Sequence, residues 1–188
     1  VRVPHISNFD DFDPLARENG VALRYADSPE GLGRPDLIIL PGTKTTIADL
    51  DWMEGRGLAG AVGRAHRDGA SVIGICGGYQ MLGTRIHDPE KVESARTETD
   101  GLGLLPLTTE FAGSKETHRV QGEVAQDWGL LAGAKGLPIR GYEIHMGRTW
   151  GEGASAAFRI DDRSDAPVTG RDAFDGALDS SGAVLGTY

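Results

Sequence analysis

Apolar residues in the first half of the chain fall into short unbroken runs separated by polar stretches that contain glycine. Asp36-Leu37-Ile38-Ile39-Leu40 and Ser71-Val72-Ile73-Gly74-Ile75 are two such runs. Apolar segments of this length, rich in β-branched residues, read as strands buried on both faces of a parallel sheet. Val1 to Ser7 and the alternating Val21-Ala22-Leu23-Arg24-Tyr25 read as two more strands. Helices are predicted between them. A short one starts at Asp13-Pro14, a cap and first-turn pair, and stops before Gly20; others cover residues 47–54 and 58–67, the last ended by Gly69. Strands alternating with helices predict an α/β fold, a mostly parallel sheet flanked by helices.

The pattern changes in the second half. Residues 91–100 are polar and read as a loop, and residues 161–175 as an exposed segment. Residues 103–107, 118–124, 139–148 and 156–160 read as strands, added in antiparallel fashion. Residues 175–188 read as a hairpin with Ser181-Gly182 at the turn. No repeat or linker divides the chain, so residues 1–188 read as one domain.

Composition narrows the classes of function. A hydrophobic share of 39% and a charged share of 25% are those of a globular protein. A net charge of −9 with no basic stripe argues against a nucleic-acid partner, and no apolar run is long enough to span a membrane. The one cysteine excludes an internal disulfide and fits a reducing compartment, the cytoplasm. The start, Val1-Arg2-Val3-Pro4, has neither an initiator Met nor the apolar stretch of a signal peptide, so the chain reads as a piece of a longer one.

That cysteine carries the chemistry. Cys76 follows the second apolar run and precedes Gly77-Gly78-Tyr79-Gln80-Met81-Leu82, which can start a helix. A strand turning into a helix through glycines is a nucleophile elbow. The helix start offers N–H groups and a positive dipole end to a thiolate and an oxyanion. Oxyanion donors are available from the N–H of Gly77 and from the Gly42-Thr43 loop, at the end of the other apolar strand. The competing reading is a small cysteine packed at a strand end. Gly42-Thr43-Lys44-Thr45 does not complete a phosphate loop, since no glycine directly precedes Lys44. Among the five histidines, His145 is the candidate for a base, because strand alternation puts it on the same face as Glu143; a structural histidine is the alternative. The scattered histidines and single cysteine offer no metal-ligand spacing.

Several ordered segments share one resemblance. Ile6-Ser7-Asn8-Phe9-Asp10-Asp11-Phe12-Asp13-Pro14-Leu15, Leu40-Pro41-Gly42-Thr43-Lys44-Thr45-Thr46, Cys76-Gly77-Gly78-Tyr79-Gln80-Met81-Leu82-Gly83, Gly101-Leu102-Gly103-Leu104-Leu105-Pro106, Gly141-Tyr142-Glu143-Ile144-His145-Met146-Gly147-Arg148, Asp175-Gly176-Ala177 and Gly186-Thr187-Tyr188 resemble the glutamine amidotransferase domain of cobyric acid synthases. The resemblance implies a class I glutaminase, a flavodoxin-like fold, acting in cobalamin biosynthesis. It implies that Cys76 attacks the amide of glutamine, that ammonia leaves and that water cleaves the thioester. It assigns the oxyanion positions to Gly42 and Gly77 and glutamine binding to Gln80, with Tyr79, Tyr142, Glu143, His145 and Gly147 lining the pocket. No cofactor is implied in this domain; ATP and magnesium belong to a partner synthetase domain that amidates corrin carboxylates. The resemblance places the catalytic histidine two positions past Tyr188, outside these residues. The alternatives are the corresponding domain of cobyrinic acid a,c-diamide synthase, a glutaminase-like module that binds without turnover, and a cysteine hydrolase of another class.

Overall fold

The computed structural model describes residues 1–188, with side chains described for all but 114, 171 and 172. The first half runs α1 (Asp13–Ala16), α2 (Pro29–Leu32), β1 (Leu37–Leu40), α3 (Thr46–Gly55), α4 (Leu58–Arg67), β2 (Ser71–Ile75) and α5 (Gly77–Leu82). The second half supplies β3 (Arg85–His87), β4 (Glu98–Asp100), β5 (Leu107–Val124), β6 (Pro138–Gly151), β7 (Phe158–Arg163), β8 (Phe174–Asp175), β9 (Ala177–Leu178) and β10 (Val184–Thr187).

Two sheets result. In the four-stranded sheet, of order β1-β2-β10-β9, β1 and β10 both run parallel to β2, with Leu40 opposite Gly74 and Thr187 opposite Ile75. The six-stranded sheet has the order β4-β3-β5-β7-β8, and β6 runs antiparallel to β5 outside that path. The predicted mixed α/β fold with a mostly parallel central sheet and added antiparallel strands is present.

The core follows from sequence periodicity. α4 buries Leu58, Ala61 and Val62, one stripe of an amphipathic helix, and carries Arg64, His66 and Arg67 in its last turn, where cations suit the negative dipole end. Leu40, Leu50, Met53, Val72, Leu82 and Val184 are fully buried with them; each such side chain contributes about 1.5–3 kcal/mol by leaving water. No helix among the described residues is long and apolar enough to cross a membrane.

The expected first and second strands are not strands. The Val1 ammonium donates to the Ile39 carbonyl at 2.7 Å and the Arg2 N–H to the Ala26 carbonyl at 2.8 Å. Pro4 then has no N–H to continue a ladder, and only an isolated bridge between Ile6 and Thr43 follows. Residues 21–25 stay unpaired in any strand, with Val21 and Tyr25 exposed. The expected strand at 103–107 is a bend, because the N–H groups of Leu104 and Leu105 both go to the Leu82 carbonyl at the end of α5. Part of the expected loop at 91–100 is the short strand β4, paired with β3. Asp13 opens α1 rather than capping it, because a 3-10 turn over Asp10–Phe12 precedes it. The expected exposed segment at 161–175 also takes in the end of β7 and all of β8.

Candidate active site

Cys76 occupies the carboxyl end of β2, between β1 and β10. Its φ is 50° and its ψ −110°, a conformation that costs a side-chain-bearing residue about 1–3 kcal/mol and persists only where the surroundings impose it. The surroundings do so. The Cys76 N–H donates to the Thr187 carbonyl at 2.8 Å, and the Cys76 carbonyl accepts the Gln80 N–H at 3.1 Å. The two following glycines allow contact at backbone distance: a Cβ on Gly77 would lie 2.5 Å from the Thr43 methyl, and one on Gly78 would overlap the Leu40 carbonyl. This is the elbow expected from the sequence, and its glycines are required by close approach.

The Gly42 loop faces the elbow. A Cβ built on Gly42 would be 3.7 Å from the Cys76 Cβ. The Gly42 carbonyl accepts the Ser7 N–H at 2.9 Å, whereas its own N–H has no acceptor among the described residues. The loop is held from below by Asp49, fully buried in α3, which takes the Thr43 hydroxyl and also pairs with His5 at 2.8 Å. A carboxylate in that place repels phosphate, so the loop does not fit a nucleotide site.

The thiol is held protonated. Cys76 Sγ donates to the Ile144 carbonyl of β6 at 3.2 Å. Burial pushes its pKa above the ordinary value; the Gly77 N–H pulls it back, the charge of Glu93 pushes it up and that of Lys115 pulls it down.

Gln80 is 2% exposed and fully engaged. Its Oε1 accepts the Thr46 hydroxyl at 3.0 Å, and its Nε2 donates to the Met146 carbonyl at 3.0 Å and reaches the Tyr188 hydroxyl at 3.4 Å. The amide therefore ties α5 to α3 and β6. Gln80→Leu strands the Thr46 hydroxyl and the Met146 carbonyl, and the expected loss is about 1–3 kcal/mol in a denaturant titration; an unchanged midpoint would remove this structural role.

His145 lies on the Glu143 face of β6, as alternation predicts. Its Nε2 meets Glu143 at 3.1 Å, its Nδ1 meets the Gly147 carbonyl at 3.0 Å, and its ring stacks on Tyr188 with centroids 3.7 Å apart. Arg163 holds the other oxygen of Glu143 at 2.8 Å. Both imidazole nitrogens are thus committed, and no imidazole among the described residues bonds the Cys76 sulfur. The expectation of His145 as a base is not met, because its carboxylate partner and Gly147 take both nitrogens.

Burial raises the Glu143 pKa, but hydrogen bonding by His145 and the charge of Arg163 outweigh it and leave the carboxyl below its ordinary value. The folded value is therefore below the unfolded one. The carboxylate contributes full stability above the unfolded pKa of 4.5 and loses it as pH falls through the folded value. Glu143→Gln should flatten the stability–pH curve below pH 4.5 in acid unfolding followed by circular dichroism; an unaltered acid limb would refute the coupling.

Tyr79, Glu143, His145 and Gly147 line one cavity of about 640 Å³ together with Arg163, Asp175 and Tyr188. Cys76 and Gln80 are not in that lining, but Tyr188 joins the two regions through its contact with Gln80. Tyr142 does not line the cavity: strand alternation turns it away from Glu143 and His145, and it is 68% exposed. The sequence reading gives no role at the site to Tyr188, Asp175, Arg163 or Thr46, although the first two and Thr46 stand in its motif segments. Asp175 accepts the Thr187 hydroxyl and the Tyr188 N–H, which fixes Tyr188 against His145. Tyr188 stands in a recognisable Gly-Thr-Tyr motif; the partnerships of Asp175 with Thr187, Arg163 with Glu143 and Thr46 with Gln80 cross 12, 20 and 34 residues and leave no local signal.

A family model described as CobB/CobQ-like glutamine amidotransferase domain matches residues 1–188. Cobyric acid synthase from Dehalococcoides mccartyi is 48% identical over 188 residues, 100% of this chain and 37% of the relative. Cobyric acid synthase from Pelotomaculum thermopropionicum is 51% identical over 187 residues, 99% of this chain and 35% of the relative. The chain thus spans little more than a third of the length of these curated relatives. Among solved structures, PurLQS from Thermotoga maritima superposes with a TM-score of 0.70 at 22% identity, covering 99% of this chain and 82% of that one, a likeness of fold.

Proposed function

Because the chain belongs to the CobB/CobQ-like glutamine amidotransferase domain family, we propose that it releases ammonia from glutamine through a Cys76 thioester and feeds a cytoplasmic, ATP- and magnesium-dependent amidation of corrin carboxylates, the reaction of a cobyric acid synthase. Residues 1–188 form the glutaminase domain of that reading, and a synthetase domain is its partner. The observation that carries the reading is the elbow: a lone cysteine in a strained turn, followed at once by the N–H of Gly77, with Gly42, whose N–H has no acceptor among the described residues, across the crevice.

The chemistry uses these groups in order. Loss of the thiol proton gives a thiolate, which attacks the amide carbon of glutamine. The carbonyl oxygen becomes an oxyanion between the N–H groups of Gly42 and Gly77, where one donor is worth about 10²–10³ in rate. The tetrahedral adduct collapses, nitrogen leaves as ammonia with the proton taken from the thiol, and a glutamyl thioester remains. Water adds to the thioester and releases glutamate and the thiol. Gln80 supports the crevice wall, and the cavity lined by Glu143, His145 and Gly147 adjoins it.

The proton acceptor in this reading comes from residues that follow Tyr188. Two features favour that placement. Both nitrogens of His145 are occupied, and the Cys76 N–H grips the Thr187 carbonyl, so backbone continuing from Tyr188 starts beside the thiol.

The test is labelling with 6-diazo-5-oxo-L-norleucine, a thiol-reactive glutamine analogue. One equivalent should attach at Cys76, and free L-glutamine should protect it. Labelling that glutamine does not slow, or that falls on other residues, refutes the proposal. A module that binds glutamine without turnover is the second reading, favoured by the engagement of His145. Protection by glutamine without any ammonia release from the intact protein would select it.

A further inference from the structure

The β5–β6 pair leaves one long strand edge open. β6 is bonded to β5 alone, and no strand among the described residues lies along its other side. In an antiparallel strand the backbone groups of successive residues turn alternately toward the partner and away from it. The carbonyls of Ile144 and Met146 turn away from β5, to the Cys76 thiol and the Gln80 amide. By alternation the N–H and C=O groups of Arg140 and Tyr142 lie on the same outer edge, where they meet no backbone group among the described residues. The open edge therefore starts at the crevice wall. A long exposed edge is a template for pairing with another strand.

The side chains on one face of this pair supply a second observation. The face runs from Lys115 opposite Met146 to Glu123 opposite Pro138, and it carries Lys115, Arg119 and Arg140. None of these cations has an ion-pair partner among the described residues; the carboxylate of that face, Glu123, is taken by Arg159 at 3.0 Å. Tyr142 and Ile144 stand beside them, 68% and 42% exposed. A chain of net charge −9 thus gathers unpaired cations and bare apolar surface on one strand pair. Cations alone would serve to keep other strands off an edge; the apolar side chains beside them fit a surface that is covered.

The relatives supply the occupant. This chain spans 37% and 35% of two cobyric acid synthases, so the larger part of those proteins lies outside it. We propose that an acidic, extended segment of the synthetase domain adds to the outer edge of β6 over residues 140–144, with carboxylates on Arg119 and Arg140 and apolar side chains on Tyr142 and Ile144. Strand addition draws affinity from main-chain hydrogen bonds and specificity from alternate side chains, and charge complementarity fixes the register. A segment seated there covers the crevice at Ile144 and keeps water from that side of it. The assignment rests on the reading above that a synthetase domain is the partner.

The experiment is amide hydrogen exchange, read residue by residue in the intact synthase. The N–H groups of Arg140 and Tyr142 should exchange about 10–100-fold more slowly than open-chain amides, because each is bonded to the added strand. The double variant Arg119→Glu, Arg140→Glu should lose that protection. Gly141 and Glu143, whose N–H groups turn toward β5, should stay protected in the variant and show that the ladder is intact. Arg140→Pro removes one outer N–H without touching the ladder, and should expose Tyr142 more than Arg140→Ala does. Unprotected amides at 140 and 142 in the parent overturn the assignment and leave the cations as guards of a bare edge. Protection that survives the charge reversal overturns the acidic segment. Protection that grows with protein concentration, together with a doubled mass in light scattering, assigns the edge to a second copy instead. The glutaminase reading fails separately, through analogue labelling at Cys76, which the exchange of these amides does not report.

Discussion

Cys76→Ala should abolish ammonia release from glutamine, by roughly 10³-fold or more, the scale of loss when the nucleophile of a covalent mechanism is removed. The fold should survive the change. Alanine keeps the Cβ that the elbow already accommodates at a φ of 50°, so backbone strain is unaltered. The only hydrogen bond lost is the one from sulfur to the Ile144 carbonyl at 3.2 Å, and a thiol is a weak donor. The melting temperature should therefore shift little while activity and analogue labelling disappear together. Ammonia assay, mass spectrometry of the labelled protein and a thermal melt decide it. Glutamine turnover that persists in Cys76→Ala would remove Cys76 from the mechanism.

The largest effect on stability is expected at Gly78. A Cβ there would overlap the Leu40 carbonyl oxygen, lie 2.6 Å from the Leu40 carbonyl carbon and 2.9 Å from its Cβ. These are backbone atoms of β1 and the root of a fully buried side chain, so nothing can swing aside. Gly78→Ala forces α5 off β1, and α5 carries Gln80, the link to Thr46 and Met146. Overpacking of a rigid core costs about 1–3 kcal/mol and sometimes more, and this site should reach the upper end, with analogue labelling lost as well. Gly141→Ala is the control: a Cβ there meets nothing within 4 Å and its φ is not positive, so it should change stability by less than about 0.5 kcal/mol. Urea titrations of the two variants make the comparison. Equal midpoints would mean that α5 does not rest on β1 as described.

What the sequence discloses here depends on how far apart the partners lie. β1, β2, α3 and α4 are legible because each carries its own pattern: an apolar run, a turn with glycine, an apolar stripe. The nearness of Gly42 to Cys76 is also legible, because consecutive parallel strands commonly pair and both residues end such strands. β10 is harder to place, since it reads locally as one arm of a hairpin, yet it also lies along β2, more than a hundred residues earlier. The first strands failed for a related reason. Their apolar content is adequate, but Pro4 and the lack of a facing ladder leave them only a few bonds. At the site, alternation predicts the pairing of Glu143 with His145 but not that Arg163, Gly147 and Tyr188 occupy what remains of both side chains. Gln80 reads from its motif as a substrate contact, and only the tertiary structure shows its amide spent on Thr46 and Met146. Glu93 reads as part of a polar loop until Asp88 is seen to fold that loop onto α3.

The backbone angle at Cys76 also restricts what could ever replace it. A φ of 50° leaves room for one substituent on Cβ and strongly disfavours two. Threonine, whose hydroxyl is a competent nucleophile in other settings, is penalised there by its methyl group before its reactivity matters. Serine alone keeps both the single branch and a nucleophilic atom, at the price of a far higher pKa than a thiol. Inheritance at this position is thereby narrowed to a thiol, a much slower alcohol or an inert residue.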